Sequence, residues 1–363
     1  MLIFFILLLI IPCFAIRKRT STDVDILNSR STTCIKGVLC LFVMFHNLGL
    51  DYKGNSEIMK LICEHAGCVG VGLFFFLSAY GIVRSHQKTG DKYLLKLIFV
   101  NVVKLYIVSV LINLLTYFVF FKGAFDSTDL LLRIFNLDVF NGFNRMNRHG
   151  WYISTIIVMY IIFEATYFLC SKLKTKNKFI IAAIILSCIA IGFRLWAHIA
   201  DNGGMYTREL PTFAIGVMYA TFYKQINSFF SKYFWPSFVI CFIGFWIGFF
   251  TIEIFATYSA ALLIIIFSQK ITYYSNVTYF LGKICLGVYL FLHFSSLALQ
   301  PYVNNPYWWI LLNAGFILEL SVILYGVETL ISRAITIFFT KNKSKNSTSS
   351  YKEPNSDATG IFK

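Results

Sequence analysis

The chain has 363 residues, of which 58% are hydrophobic and 13% are charged, and its formal net charge is +15. A mean hydropathy of +0.69 leaves too little polar surface to cover a soluble globule of this length, which excludes an ordinary soluble domain. The excess of positive charge lies in short segments between apolar stretches and in the C-terminal tail, so it argues against nucleic-acid binding.

The first predicted element is the apolar segment 1–16, which leads directly into Arg17, Lys18 and Arg19. The positive charges follow the apolar run and no clear cleavage site is present, so we expect a short first helix instead of a signal peptide. With the charges inside, the N-terminus lies outside. Residues 1–33 thus form an N-terminal apolar segment and a basic cytoplasmic linker.

Ten further apolar stretches follow along the chain. They cover roughly residues 34–50, 67–83, 97–120, 151–170, 179–199, 209–224, 235–252, 256–269, 284–301 and 308–331. Many of them approach the roughly 20 residues that cross a bilayer as a helix, in which every backbone group is satisfied. With segment 1–16, the sequence therefore predicts an all-α, polytopic transmembrane bundle of about 10–11 helices, whose main transmembrane domain covers residues 34–335. The tail 336–363, rich in Lys, Ser and Asn, is predicted to be disordered.

Positive charge alternates between successive gaps in this pattern. Five gaps, at 17–36, 84–96, 171–178, 224–232 and 270–283, together hold 17 lysines and arginines. The alternate gaps hold seven, interleaved with acidic residues. The positive-inside rule places the first set and the C-terminal tail in the cytoplasm. We expect a multi-pass protein of the cell membrane.

The nine cysteines are scattered, mostly within apolar stretches, and have neither a CxxC motif nor a Cys/His ligand spacing. This pattern favours neither a metal site nor a redox motif. Cys63 and Cys68 lie close together in the sequence and could pair, although two free thiols are the simpler expectation.

Ionisable residues inside a bilayer are costly and suggest functional sites. Those within or at the ends of the predicted spans are His46, Lys104, Glu164, Arg194, His198, His293 and Glu319. For the two glutamates we expect structural pairing with basic groups. Arg194 and His198 are four residues apart on one helix face near its outer end, which fits either snorkelling to the interface or acceptor binding.

Five segments carry a resemblance to a known family. They read IKGVLCLFVMFHN at 35–47, GVGLFFFLSAYG at 70–81, HGWY at 149–152, LPTFAIG at 210–216 and LGKICLGVYLFLH at 281–293. In this order they resemble the acyltransferase-3 family, integral membrane enzymes that O-acylate, mostly O-acetylate, bacterial surface glycans and related molecules. Lys36 stands where many members carry arginine, and it offers a point charge in place of a bidentate fork.

The resemblance implies an O-acyltransferase that uses acyl-CoA, most simply acetyl-CoA, and has no permanently bound cofactor or metal. His46 is the candidate general base, and Lys36 and Lys104 are candidates for donor binding. The acceptor would be a cell-surface glycan or its lipid-linked precursor. Candidate acceptor-binding residues on the outer side or near mid-membrane are Arg145, Arg148, His149, Trp151, Arg194, Arg208 and His293.

The residues themselves support the same arrangement. Lys36 and His46 are ten residues apart on one predicted helix, a rise of about 15 Å, so the lysine lies at the cytoplasmic face and the histidine about halfway across. A histidine near neutral pKa can take a proton from a hydroxyl and return it. Asp51 could orient His46 if the helix breaks at Gly49.

Two other classes remain open from the sequence. A transporter or flippase of lipid-linked glycans would account for charged outer residues and for the many aromatic residues. A membrane glycan polymerase is a third possibility, although longer outer loops with several arginines would be expected. Dependence on acyl-CoA distinguishes the acyltransferase from both.

Overall fold

The computed structural model describes residues 16–19, 25–51, 57–90, 101–137, 150–175, 177–199, 209–251 and 253–348. Twelve α-helices lie within these ranges. They are α1 (Ser29–Asp51), α2 (Glu57–Thr89), α3 (Val103–Thr116), α4 (Ser127–Ile134), α5 (Gly150–Lys172), α6 (Lys178–Ile199), α7 (Pro211–Thr221), α8 (Tyr223–Lys232), α9 (Phe234–Phe250), α10 (Glu253–Phe267), α11 (Asn276–Leu299) and α12 (Pro306–Thr348). A π-helical turn, Tyr117–Phe121, extends α3. The described residues also form one small sheet, of strands β1 (Ile16–Lys18) and β2 (Ile271–Tyr273).

The predicted polytopic helical bundle is confirmed. Among the described residues, seven helices are long and apolar enough to cross a membrane, and an eighth span is possible if α8 and α9, which meet at 98°, count as one. Two further predicted spans, 209–224 and 256–269, form the shorter helices α7 and α10, of 11 and 15 residues. Helices of this length fall short of the roughly 20 residues that a straight crossing needs.

The centre of the bundle is the pair α1 and α11, which start at the same end and pack at very short range. A Cβ atom at Gly37 would lie 1.9 Å from the Thr278 carbonyl oxygen, and one at Gly282 would lie 1.9 Å from the Thr33 carbonyl oxygen. Small residues allow such backbone contact, which stabilises helix pairs in lipid. These two glycines therefore determine the spacing of the central helices.

Helix α2 runs antiparallel to α1 and is longer than predicted, at 33 residues instead of the 17 of segment 67–83. Gly67 faces His46 and Gly70 faces Val43, so the sequence numbers increase in opposite directions along the contact. The additional helical turns lie before residue 67 and after residue 83. Charged residues in these turns, such as Lys60 and Lys88, can extend their ammonium groups to the membrane interface without ending the helix.

One end of the bundle carries the start of α1, the end of α2 and the two-stranded sheet, and we call it the basic end. Strand β1 pairs antiparallel with β2, Ile16 opposite Tyr273. The guanidinium groups of Arg17 and Arg30 lie 4.2 Å and 4.0 Å from the centre of the Tyr274 ring. Two of the gaps predicted to be cytoplasmic, 17–36 and 270–283, therefore lie together at one face.

The predicted ends of the chain lie largely outside the described residues. Of the apolar segment 1–16, only Ile16 is described, and it belongs to β1. Disorder was predicted from residue 336, whereas α12 continues to Thr348, and residues 349–363 are outside the described part. The continuation is compatible with local sequence, because lysine is a good helix former and the segment contains no glycine or proline.

Candidate active site

A cavity of about 760 Å³ opens at the basic end between the start of α1 and the end of α2. The basic residues that line this cavity are Arg84 and Lys88 at its mouth and Lys36 deeper in. The Arg84 guanidinium is 3.1 Å from Asp25 Oδ1 and 4.6 Å from the centre of the Tyr223 ring. The mouth is thus a polar, positively charged opening, and Arg84 is already held in place.

A second cavity of about 420 Å³ continues from the first into the bundle. The two cavities share five lining residues, Thr33, Lys36, Ser78, Asn101 and Tyr160. We call them together the donor channel. Along α2 the channel is lined from Lys88 to Val71, 17 residues apart, which corresponds to about 26 Å of helix. An elongated ligand could lie along this channel.

The inner end of the channel lies close to His46. Val71 lines the channel, and it is four residues, or about 6 Å, from Gly67 along α2. Gly67 packs directly against the His46 ring: a Cβ atom there would lie 2.3 Å from Cγ of the imidazole. The histidine is therefore one helical turn beyond the inner end of the channel.

The ring of His46 has a defined orientation. Its Nδ1 atom is 2.8 Å from the carbonyl oxygen of Cys63 on α2. A carbonyl oxygen only accepts hydrogen bonds, so Nδ1 must donate, and in the neutral imidazole Nε2 is then the basic nitrogen. The side chain is half-buried. Cys63 thus provides the orienting contact considered for Asp51, whose side chain is outside the described part.

The two lysines predicted to bind the donor line the same channel. Lys36 lies where the two cavities meet, and Lys104 lines the inner cavity. Lys104 Nζ is 3.7 Å from Oε2 of Glu328, a buried residue of α12. Glu328 could not be recognised from the sequence, because a glutamate near the cytoplasmic end of the last span resembles an ordinary interfacial charge.

Two tyrosines line the inner cavity opposite α1. The rings of Tyr152 on α5 and Tyr289 on α11 are 5.1 Å apart. His293 is buried and lies one turn beyond Tyr289 on α11, on the side away from the basic end. Trp151 is half-buried, and its ring packs edge-on against that of Tyr152, with ring centres 6.3 Å apart. Of these two residues, Tyr152 lines the channel, although Trp151 was the one predicted from the sequence.

The other predicted acceptor residues are only partly described. Arg194 is exposed on α6. Arg145, Arg148, His149 and Arg208 lie outside the described residues, as does the side chain of His198. Within the described part, no group of three or more possible metal ligands occurs. Cys63 and Cys68 form no disulfide bond within the described residues, which agrees with the simpler expectation.

Glu164 pairs with a basic group, as predicted for an intramembrane carboxylate. Its Oε1 atom is 2.7 Å from Nε2 of His86 on α2, and both side chains are almost completely buried. The His86 ring also packs on Tyr167, with ring centres 4.3 Å apart. Glu319, the other intramembrane glutamate, is exposed on the surface of α12.

Replacing Glu164 with leucine should destabilise the folded protein by about 1–3 kcal/mol, because Nε2 of His86 would lose its buried hydrogen-bond partner. Thermal unfolding in detergent would measure this as a lower Tm. The double variant His86→Phe/Glu164→Leu should recover much of the loss, since neither buried polar group then remains. Equal Tm values for the single variant and the unaltered protein would contradict a stabilising pair.

Comparison with known families identifies the chain. A family model described as an acyltransferase domain, that of the acyltransferase-3 family, matches residues 30–328. The chain belongs to the acyltransferase-3 family. No curated protein and no solved structure matches it. Membership in the family, predicted from five short segments, is therefore confirmed, and the protein is a membrane acyltransferase with an acyl donor and an acceptor.

The matched range begins at the start of α1 and ends at Glu328 on α12. It therefore includes every described residue of the inner cavity, as well as His46 and its contacts with Cys63 and Gly67. The inner cavity and the histidine both belong to the part of the chain that matches the family.

Proposed function

We propose that this acyltransferase transfers an acetyl group from cytoplasmic acetyl-CoA to a hydroxyl of a cell-surface glycan or its lipid-linked precursor, with His46 as general base. The observation that carries the proposal is the donor channel, which opens among basic residues and ends one helical turn from His46. The channel has the charge and shape that an acyl-CoA requires, because CoA is anionic at its head and uncharged along its arm.

The donor would enter from the basic end, which the positive-inside rule assigns to the cytoplasm. Phosphates of the CoA head would lie at the mouth, near Arg84 and Lys88, with Lys36 further in. The uncharged pantetheine arm would follow the inner cavity towards Tyr152 and Tyr289. This arrangement delivers the thioester to the depth of the histidine and leaves the nucleotide at the membrane surface.

In the proposed reaction, Nε2 of His46 removes the proton of the acceptor hydroxyl as its oxygen attacks the thioester carbonyl carbon. The tetrahedral intermediate then collapses, the carbon–sulfur bond breaks, and the CoA sulfur takes the proton from the imidazolium. The products are an ester and free CoA. The Cys63 carbonyl keeps Nδ1 protonated and stabilises the imidazolium that forms during the reaction.

The acceptor would approach from the opposite side of the membrane. His293 lies one turn beyond the channel lining on α11, and Arg194 is exposed on α6. With Trp151 and the outer residues Arg145, Arg148, His149 and Arg208, they remain the predicted acceptor-binding residues. A glycan hydroxyl fits the family, whose members acylate surface glycans.

A cysteine inside the channel makes donor binding measurable. Cys285 lines the inner cavity and is partly accessible, whereas the partly accessible Cys241 lies on α9, away from the channel lining. We expect acetyl-CoA to slow alkylation of Cys285 in nanodiscs when it is the only cysteine left in the chain. The matched single-cysteine protein that keeps Cys241 should be alkylated at the same rate with and without acetyl-CoA.

Release of free CoA from labelled acetyl-CoA, with and without a glycan acceptor mixture, completes this test. Slow release that an acceptor accelerates supports the transferase. If acetyl-CoA protects neither cysteine and no CoA is released, acetyl is not the transferred group. A panel of other acyl-CoAs should then be compared, and failure of the whole panel would overturn CoA as the donor.

A further inference from the structure

Glu328 has an unusual position for a carboxylate. It lies on the described membrane span of α12, lines the inner cavity, and its side chain is only 9% exposed. One carboxylate oxygen, Oε2, is 3.7 Å from Lys104 Nζ. The other oxygen, Oε1, is buried and has no hydrogen-bond partner in the described part of the chain. Burying a carboxylate oxygen without a hydrogen-bond donor costs free energy, so a ligand that donates a hydrogen bond to this oxygen would bind favourably.

The depth of Glu328 identifies the part of the donor that it faces. Gly287 on α11 packs against Ser321 of α12, and Glu328 lies seven residues, about 10 Å, from Ser321 towards the basic end. Lys36, Lys104 and Cys285 line the same inner cavity as Glu328. Glu328 is therefore at the level of Lys36, about 15 Å along α1 from His46.

That level lies between the mouth and the histidine. Lys88 at the mouth is ten residues, about 15 Å, from Ser78, which lines both cavities together with Lys36. A donor with its phosphates at the mouth and its thioester near His46 passes Glu328 with its pantetheine arm. The arm carries amide N–H groups and a hydroxyl, which are hydrogen-bond donors.

We propose that Glu328 is a positioning residue for the donor, whose Oε1 accepts a hydrogen bond from an N–H or O–H group of the pantetheine arm. This inference rests on the proposed function. Lys104 acts through Glu328, because their ion pair fixes the position of the carboxylate. In this proposal Lys104 does not contact a phosphate of the donor but is the counter-ion of Glu328, which holds the pantetheine arm.

Two variants separate the parts of this proposal. Glu328→Leu removes the acceptor oxygen and the charge, whereas Glu328→Gln keeps an acceptor oxygen. Affinity would be measured in nanodiscs for acetyl-CoA and, separately, for the adenosine bisphosphate head of CoA alone. We expect Glu328→Leu to weaken acetyl-CoA binding about tenfold or more, the range of a hydrogen bond to a charged group, and Glu328→Gln to weaken it less.

Binding of the head alone distinguishes a contact with the arm from a general structural role of Glu328, because structural damage would weaken binding of both ligands. The head does not reach Glu328, so its affinity should be the same for both variants and the unaltered protein. Equal weakening of acetyl-CoA and of the head, or unchanged acetyl-CoA binding in Glu328→Leu, would overturn the assignment. If the unaltered protein binds no acyl-CoA at all, the proposed donor itself fails, and the assignment of Glu328 fails with it.

Discussion

Replacing His46 with glutamine should lower acyl transfer by about a hundredfold or more and leave the affinity for acetyl-CoA unchanged. Glutamine can still donate a hydrogen bond towards the Cys63 carbonyl, which His46 Nδ1 contacts at 2.8 Å, but it has no basic nitrogen. The lower rate of acyl transfer in this variant would therefore be due to the missing proton acceptor. Release of labelled CoA in the presence of acceptor, together with direct donor binding, would measure both quantities.

Another histidine near the same contact, His65, provides the matched control. His65 lies two residues from Gly67 on α2, but its ring packs on Phe249 of α9, with ring centres 4.7 Å apart. It is not among the residues that line the donor channel. His65→Gln should retain transfer per folded molecule. If His46→Gln kept full activity, or if both variants lost activity equally, His46 would not be the base.

The helical bundle could be predicted from the sequence, and His46 could be selected as a candidate base, because both signals are local. Apolar stretches of membrane length and alternating basic gaps are visible in the sequence without knowledge of which helices are neighbours. His46 ends an apolar helix that begins with Lys36 and Gly37, and this pattern fits within the thirteen residues of the segment 35–47. Together with the four other segments, it indicated the family that the comparison confirms.

The contacts that complete the site are not local, and the sequence did not reveal them. Cys63 orients His46 through its backbone carbonyl, so the identity of its side chain carries no signal. Glu328 meets Lys104 only when the last helix packs beside α3. Whether Trp151 or Tyr152 lines the channel depends on how α5 is rotated about its own axis. The sequence around these residues is apolar on all sides of the helix and does not indicate this rotation.

The short elements escaped prediction for a different reason. Strands β1 and β2 have three residues each, too few for a periodic pattern to be visible. They nevertheless join two basic gaps at one face and place arginines around Tyr274. The same positive charge therefore has two roles in the proposal: it orients the protein in the membrane, and at the channel mouth it attracts an anionic donor.

The position of the His46 ring depends on the absence of a side chain at Gly67. A Cβ atom there would come within 2.3–2.7 Å of three ring atoms, which is closer than real contacts allow. Because the obstacle is a side chain and not backbone, the ring can turn away and the helices can stay packed. We expect Gly67→Ala to fold with nearly the same Tm, but to lower transfer about a hundredfold, since small misplacements of a catalytic group have effects of that size.

Two other glycines serve as references for this experiment. At Gly315 on α12 a Cβ atom meets nothing within 4 Å, so Gly315→Ala should change neither activity nor Tm. At Gly37 the obstacle is the Thr278 backbone, so Gly37→Ala should lower Tm itself. If Gly67→Ala resembles Gly37→Ala, with stability lost and activity per folded molecule kept, then Gly67 has only a packing role.

The double variant His46→Gln/Gly67→Ala tests whether the two residues act as one unit. If the methyl group acts only by displacing the imidazole, it has nothing left to displace once the imidazole is absent. The double variant should then be as inactive as His46→Gln alone, although the two separate losses would multiply if the sites were independent. Multiplying losses would show that Gly67 affects the reaction by another route, such as the width of the channel one turn away at Val71.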